Sequence, residues 1–370
     1  MRIGIVTDAI DDGASGIGTY VRNLVKSLAK ADKINDYFLI HYNPSPDEIY
    51  ELGFEEIIIP IGSFPFAREL RKLFLFPLKL RKYCLDVVHE TSQMNIYLLP
   101  TNFKKVVTIH DLIPLVLPEY SSKLIALHHK IGFPLSLYQS DKVICVSEST
   151  EQDLFSLYSL SSKKVEMIYE GRDLAFKREN NTARLAKVKK KYRLPKNYYL
   201  SVATLTPRKN LERVLRAFSR LKDKKSELFF VGRAEGETKT RLIFLAIELG
   251  IYDRVRFAGW VNKDDLPALY SMASACVFTT LYEGFGLPIL EAQACGCPVI
   301  TSNVSSMPEI AGSGALFVTP TYLCEIETML EIILKPRIRS VLIGNGYENV
   351  KRFNWARTAR MTREVYERLS

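Results

Sequence analysis

Residues 275–301, ACVFTTLYEGFGLPILEAQACGCPVIT, decide the fold class. Ala275–Phe278 is a short, wholly apolar run of the kind that forms a strand buried on both faces. Gly284 and Gly286 mark a turn, and Pro288–Ala294 carries a helical pattern that Pro288 opens favourably at its first turn. Pro298–Thr301 is apolar again. A strand, a glycine turn, a helix and a second strand in so short a span read as one parallel βαβ unit.

The same alternation runs outward in both directions. Upstream in this half, strands are read at Tyr199–Val202, Glu227–Val231 and Val255–Phe257, with helices near Asn210–Arg220, Thr238–Leu249 and Asp264–Ser271. The first half offers strands at Ile3–Thr7, Phe38–Tyr42, Ile57–Ile59, Val87–His89, Val106–His110, Val143–Val146 and Val165–Ile168. Its helices are read at Thr19–Lys30, Arg68–Tyr83 and along much of Lys123–Gln139. The polar stretch Gly171–Pro195 separates the two series, which gives domains over 1–175 and 176–353. The chain has 370 residues, 47% hydrophobic and 25% charged, which suits two ordinary soluble domains and excludes a disordered chain. No apolar run approaches the roughly eighteen residues of a membrane span, and MRIGIVTDAI enters a strand without a signal peptide, so a cytoplasmic protein is expected.

The six cysteines form no zinc-like cluster and are read as structural thiols. Charge is uneven: residues 1–175 hold 19 Lys+Arg against 22 Asp+Glu, and 176–370 hold 32 against 19. A basic second half suits an anionic ligand, while no zinc-finger, RRM-like or helix-turn-helix signature accompanies it, so nucleic acid is not expected.

Four constellations carry chemistry. In Glu283-Gly-Phe285-Gly286-Leu287-Pro-Ile-Leu-Glu291 the glycines let backbone N–H groups approach a phosphate at a helix N-terminus. Glu283 suits sugar hydroxyls and Glu291 a ribose. Read alone, the same residues also describe an ordinary strand–turn–helix with two surface glutamates. Thr206-Pro-Arg208-Lys209-Asn210 puts adjacent cations at the carboxyl end of a strand, where they suit a diphosphate and make a divalent metal unnecessary, although such a turn is often only a solvated loop. His110 ends the run Val106–Ile109, in a position to face a sugar or to be structural. Gly13-Ala-Ser-Gly16-Ile-Gly18 follows the first strand but has Val21 where a dinucleotide fingerprint needs its third glycine.

Taken in order, these segments resemble the family-4 retaining glycosyltransferases across nearly the whole chain. Val146-Ser-Glu-Ser, Phe257-Ala-Gly-Trp-Val, Gly296-Cys-Pro-Val-Ile and Phe353-Asn-Trp-Ala add to the likeness. The resemblance implies an α/β protein with two facing Rossmann-like doubly wound domains, the glycosyltransferase B (GT-B) fold, with a cleft between them. The first would be the acceptor side, completed by a crossover helix at about 354–370, and the second would bind the nucleotide sugar. Glu283 would contact the donor sugar, Glu291 the ribose, Phe285, Gly286 and Leu287 the diphosphate and sugar through their backbones, Lys209 the diphosphate, His110 the donor sugar, and Gly16 or Gly18 the donor phosphate. Where many members have Gly-Arg after this strand, Ala203-Thr204 stands here, and Arg208 is assigned the missing cation. No cofactor or metal is implied.

Val202-Ala-Thr-Leu-Thr-Pro-Arg-Lys-Asn and Thr108-Ile-His-Asp-Leu-Ile-Pro are similar to segments of mannosyltransferases of polysaccharide or O-antigen synthesis, which suggests GDP-mannose as donor and a glycan or lipid-linked acceptor. The alternatives are a UDP- or ADP-glucose user and a non-catalytic nucleotide-sugar-binding protein. Phe64–Tyr83, rich in Phe, Leu, Arg and Lys, suits contact with an anionic membrane surface, or is simply a crossover helix with one face on the sheet.

Overall fold

In the computed structural model, which describes residues 1–13, 16–43, 47–63, 67–94, 96–234 and 236–369, the chain divides into two units. Met1–Gly171 with Asn354–Ser370 forms the first, and Arg172–Phe353 the second. Unit 1 is built on β1 (Arg2–Val6), β2 (Asp36–His41), β3 (Glu55–Ile58), β4 (Val87–Glu90), β5 (Lys104–Ile109), β6 (Lys142–Cys145) and β7 (Val165–Met167). All pair in parallel, in the order β3-β2-β1-β4-β5-β6-β7. Unit 2 holds β8 (Tyr198–Val202), β9 (Glu227–Val231), β10 (Val255–Gly259), β11 (Ala275–Phe278), β12 (Val299–Ser302) and β13 (Ala315–Val318), parallel in the order β10-β9-β8-β11-β12-β13. The order reverses between β1 and β4 in one sheet and between β8 and β11 in the other. At such a switch point crossovers leave to opposite faces, and a crevice opens at the carboxyl ends of the strands.

The strands are short and apolar because helices cover both faces of each sheet. Every residue of β11 and β12 is buried. The helix Leu211–Arg220 turns Leu211, Val214, Leu215, Ala217 and Phe218 onto Tyr199, Leu228, Phe230 and Val277. Cys145, Cys276, Cys295 and Cys297 are buried, whereas Cys84 is exposed in a left-handed turn and not packed with the apolar run beside it.

Several elements escape the apolar pattern. Glu148–Leu157 is a helix started by the Ser147 side chain, which accepts from the Thr150 N–H. Thr182–Lys191 is a helix capped by Asn181, lying inside the polar stretch that separates the two strand series. The helix expected over Arg68–Tyr83 is broken into Ala67–Leu70, a π turn at Arg71–Leu75, Phe76–Leu80 and a final 3₁₀ turn. Pro77 has no N–H for the Leu73 carbonyl, and that carbonyl accepts instead from the Leu98 N–H at 3.0 Å. Phe64 and Phe66 lie outside the described residues. The last helix, Trp355–Glu367, packs on the helix Gly16–Ala31 within unit 1. Tyr366 Oη lies 2.7 Å from His89 Nδ1, and Thr358 donates to the Tyr169 carbonyl at 2.7 Å. Gly171 has no room for a side chain, since a Cβ there would come within 2.3 Å of the Trp355 nitrogen. Among the described residues no helix is long and apolar enough to cross a membrane.

Candidate functional site

The switch point of unit 2 gathers the residues that follow β8 and β11. Arg208 and Lys209 stand in a single 3₁₀ turn after β8, and the Leu281 N–H donates to the Arg208 carbonyl at 2.9 Å, which ties the two loops together. Asn210 ends the turn in a left-handed conformation (φ 60°) that asparagine tolerates. Its amide donates to the carbonyls of Thr279 (3.0 Å) and Pro320 (2.7 Å), so this one side chain holds the cationic turn against the end of β11.

Glu283 lies between the cations. Arg208 Nη1 donates to its Oε1 at 2.7 Å, Lys209 Nζ donates to the same oxygen, and the Thr280 hydroxyl adds a third bond at 3.0 Å. Burial pushes this carboxyl up, but the charges of Lys209 and Arg208 outweigh it and hold Glu283 below the usual carboxylate value. Ser305 accepts from the Glu283 N–H, and Ser306 donates to the carbonyls of Glu283 and Phe285. Phe285 is buried edge-on to Phe353. Gly286 opens the helix Leu287–Ala294 at φ 119°, a conformation reserved for glycine, and a Cβ there would meet Met307 Cε at 2.9 Å. Glu291 sits one turn into that helix and accepts from Tyr270 Oη at 3.0 Å. Burial pushes its carboxyl up to about 7 despite the Tyr270 hydrogen bond and Lys263. Two buried hydroxyls, Thr206 Oγ1 and Thr279 Oγ1, have no partner among the described residues. Paired cations, a glycine-opened helix start and spare hydroxyl donors suit an anion with several oxygens.

Unit 1 assembles its own group at the carboxyl edge of its sheet. His110 follows β5, and its Nε2 donates to the Thr91 carbonyl at 2.8 Å, since a carbonyl can only accept. Nδ1 faces Glu170 Oε1 at 3.5 Å. Tyr20 packs edge-on against the imidazole with centroids 4.8 Å apart. Gly16 is the exposed first residue of the helix that carries Tyr20, whereas Gly18 is buried, with the Ala9 carbonyl 3.4 Å from where its Cβ would stand. Ala14 and Ser15 of the glycine loop lie outside the described residues. The buried Glu170, with Oε2 lacking a partner among the described residues, has no motif to announce it. It comes from the far end of the domain sequence and meets His110 only through the fold. Among the described residues no group of three or more His, Cys, Asp or Glu side chains is arranged to hold a metal ion.

Two parallel sheets of these orders, one bearing a cation pair and a glycine-opened helix at its switch point, define a glycosyltransferase of the GT-B fold. The family pattern "Glycosyltransferase Family 4" matches residues 14–176, and "Glycosyl transferases group 1" matches residues 184–349. The chain belongs to the family 4 glycosyltransferases. It is 28% identical to the O-antigen chain mannosyltransferase B of Escherichia coli over 100% of both chains. It is 30% identical to the serotype-specific mannosyltransferase WbdA of Escherichia coli over 72% of this chain and 34% of that longer protein. The solved sucrose-phosphate synthase of Thermosynechococcus elongatus shares the fold, with a TM-score of 0.80 at 24% identity over 100% of this chain and 99% of that one.

Proposed function

We propose that this glycosyltransferase moves mannose from GDP-mannose to a glycan or lipid-linked acceptor on the cytoplasmic side, retaining the anomeric configuration and using no metal. The observation that carries the reading is the Arg208–Lys209–Glu283 cluster at the β8/β11 switch point. Two cations held together by one carboxylate are a site for a diphosphate, and they supply the charge that a divalent ion would otherwise bring. Mannose rests on the relatives, two of which are named as mannosyltransferases.

Binding exchanges partners. The donor diphosphate takes Arg208 and Lys209, and the amides at the start of Leu287–Ala294 receive its oxygens. Glu283, released from its cations, accepts hydroxyls of the donor sugar. Glu291 accepts the ribose hydroxyls, with Phe285, Gly286 and Leu287 lining the diphosphate through their backbones. The acceptor hydroxyl attacks the anomeric carbon on the side the diphosphate leaves. The bond from that carbon to the phosphate oxygen breaks, and the acceptor proton passes to that oxygen. The residues act by orientation and charge stabilisation, with no covalent sugar intermediate. His110 is assigned to the donor sugar, and Gly16 or Gly18 to the neighbourhood of the donor phosphate.

A melting-temperature panel with GDP, UDP, ADP, CMP and their sugar conjugates tests the donor, because a ligand of the folded state raises the melting temperature. GDP and GDP-mannose should give the largest shifts, with EDTA making no difference. A larger shift with UDP or ADP compounds removes the mannose reading. No shift with any nucleotide in a folded sample removes the transferase reading of this site.

A further inference from the structure

Glu170 is a carboxylate that the core of unit 1 does not use. It follows β7 at the carboxyl edge of the sheet and is 4% exposed, and its Oε2 is buried with no partner among the described residues. No Lys or Arg pairs with it among the described residues, and its charge contact is His110, whose Nδ1 lies 3.5 Å from Oε1. A buried carboxylate without a cation or a donor costs stability. Such groups collect where function is placed ahead of stability.

Thr91 and Tyr20, which also meet the His110 ring, are neutral and committed elsewhere. Thr91, whose carbonyl receives the Nε2 hydrogen, is buried and anchored through its own hydroxyl to the Val6 carbonyl at 2.6 Å. Tyr20, edge-on to the ring, has its hydroxyl 3.1 Å from that of Thr108, and Thr108 Oγ1 lies 2.7 Å from His89 Nε2. Burial pushes the Tyr20 hydroxyl up, and burial followed by the neighbouring His110 pushes His89 down to about 3. Neither therefore carries a charge near neutral pH.

A single hydrogen bond at Nε2 lets the imidazole pivot, and a contact at the second nitrogen stops it. With its hydrogen on Nε2, a neutral ring would turn the Nδ1 lone pair toward the carboxylate. The contact with Glu170 therefore needs a hydrogen between Nδ1 and Oε1.

The geometry points to Glu170 as a positioning residue: it fixes the second nitrogen of His110 and so sets the orientation in which the imidazole meets the donor sugar. It acts through His110 and not on the substrate, and it rests on the proposed function only for what His110 does there.

Nitrogen NMR on the full chain labelled at histidine tests the contact without any substrate. The chain has five histidines, and His110→Ala identifies the His110 signals. Glu170→Ala should move the Nδ1 signal and leave that of Nε2, whose Thr91 partner is untouched. The melting temperature should hold or rise, because a buried charge without a cation is removed, and the melting shift with GDP should match the wild type. Release of GDP from GDP-mannose, with water as the acceptor, reads the consequence. Glu170→Ala should lower kcat about tenfold to a hundredfold, the scale of a misplaced group at a reacting centre. Glu170→Gln, whose amide can donate to the Nδ1 lone pair, should stay within about threefold of the wild type. In a chain that already carries His110→Ala, Glu170→Ala should cost nothing more, since it has no ring left to hold.

The proposal is overturned if the Nδ1 signal does not move, if the losses of the double variant add, or if Glu170→Gln fails as badly as Glu170→Ala. A lower melting temperature with unchanged kcat would make Glu170 a strut of the core and overturn it too. If the Nδ1 signal moves but His110→Ala releases GDP as fast as the wild type, Glu170 still sets the ring, and the assignment of His110 to the donor sugar is what fails.

Discussion

Glu283 and Glu291 lie eight positions apart on either side of one helix start and have opposite electrostatics. Glu283 is held below the ordinary carboxylate value by Lys209 and Arg208, and Glu291 is pushed up to about 7 by burial. Different experiments therefore reveal their roles. Glu283→Ala should lower transfer by about 10²–10³-fold, the scale of losing one aimed polar group at a reacting centre. GDP affinity should hold or rise, because the two cations lose their internal competitor. Lys209→Ala should weaken GDP binding roughly tenfold to a hundredfold, the range for a hydrogen bond to a charged group. Isothermal titration of both variants checks the pair, and equal losses of GDP affinity would sink the division of labour. On the proposed assignment the ionised form of Glu291 takes the ribose hydroxyls, so GDP affinity should rise about tenfold between pH 6 and 8, and Glu291→Gln should flatten that profile. The folding linkage has the opposite sense. A carboxyl whose folded-state pKa is raised favours the folded state most at low pH, and this contribution fades as the pH climbs from the usual carboxylate value to about 7.

Elements, more than single residues, determine what the sequence reveals. β11, β12 and the helix between them are legible because Ala275–Phe278 is an unbroken apolar run, Val299-Ile300 starts a second β-branched run after Pro298, and Gly286-Leu-Pro288 marks the helix start. β13, Ala315–Val318, is as apolar and as long as β11, but Thr319-Pro320 follows it in place of a glycine-marked helix start, and it is not read as a strand. The helices Glu148–Leu157 and Thr182–Lys191 are polar and exposed over most of their length, so their signal lies in the caps Ser147 and Asn181 and not in periodicity. The helix Lys123–Gln139 is legible, but the exposure of Leu124, Leu127, Ile131 and Tyr138 is not, since apolar residues all round a helix ordinarily mean burial. In the same way the cations and glutamates of the second unit stand in recognisable spacings. Glu170 is invisible beside His110, because only the pairing of β5, β6 and β7 brings those strand ends together. Gly286 tests the helix start. Gly286→Ala forces an alanine to φ 119° against Met307, at a cost of about 1–3 kcal/mol. The melting temperature should fall by a few degrees, and GDP affinity should fall further than for a stability change alone, because the helix amides turn away from the phosphate. Unchanged GDP binding in a destabilised variant would show that these amides do not receive the ligand.

Across the whole molecule the chain passes from unit 1 to unit 2 at Gly171–Arg172 and returns at Phe353–Asn354, so the closing segment belongs by contact to the unit that is first in sequence. Charge divides along the same line: unit 1 is balanced at 22 Lys+Arg against 23 Asp+Glu, and unit 2 has 29 against 18. The unit with the cationic switch point thus has a field over its whole surface, and not only at Arg208 and Lys209, that favours an anionic ligand. Deletion of residues 354–370 separates the two units in function. It removes Trp355, Ala359, Val365 and Tyr366 from the core of unit 1, together with the hydrogen bonds of Tyr366 to His89 and Thr358 to Tyr169. A large buried side chain contributes about 1.5–3 kcal/mol, and domains are stable by only about 5–15 kcal/mol, so unit 1 should melt far below its normal temperature or fail to fold. Unit 2 loses none of its own residues. In calorimetry the truncated chain should keep one transition that GDP still raises, and limited proteolysis should leave a fragment close to 172–353. Transfer should be lost, because His110 and the proposed acceptor side belong to the unit that melts. If the deletion instead removed the GDP-sensitive transition, nucleotide binding would depend on unit 1, and the assignment of the donor site to the residues around Glu283 alone would have to be abandoned.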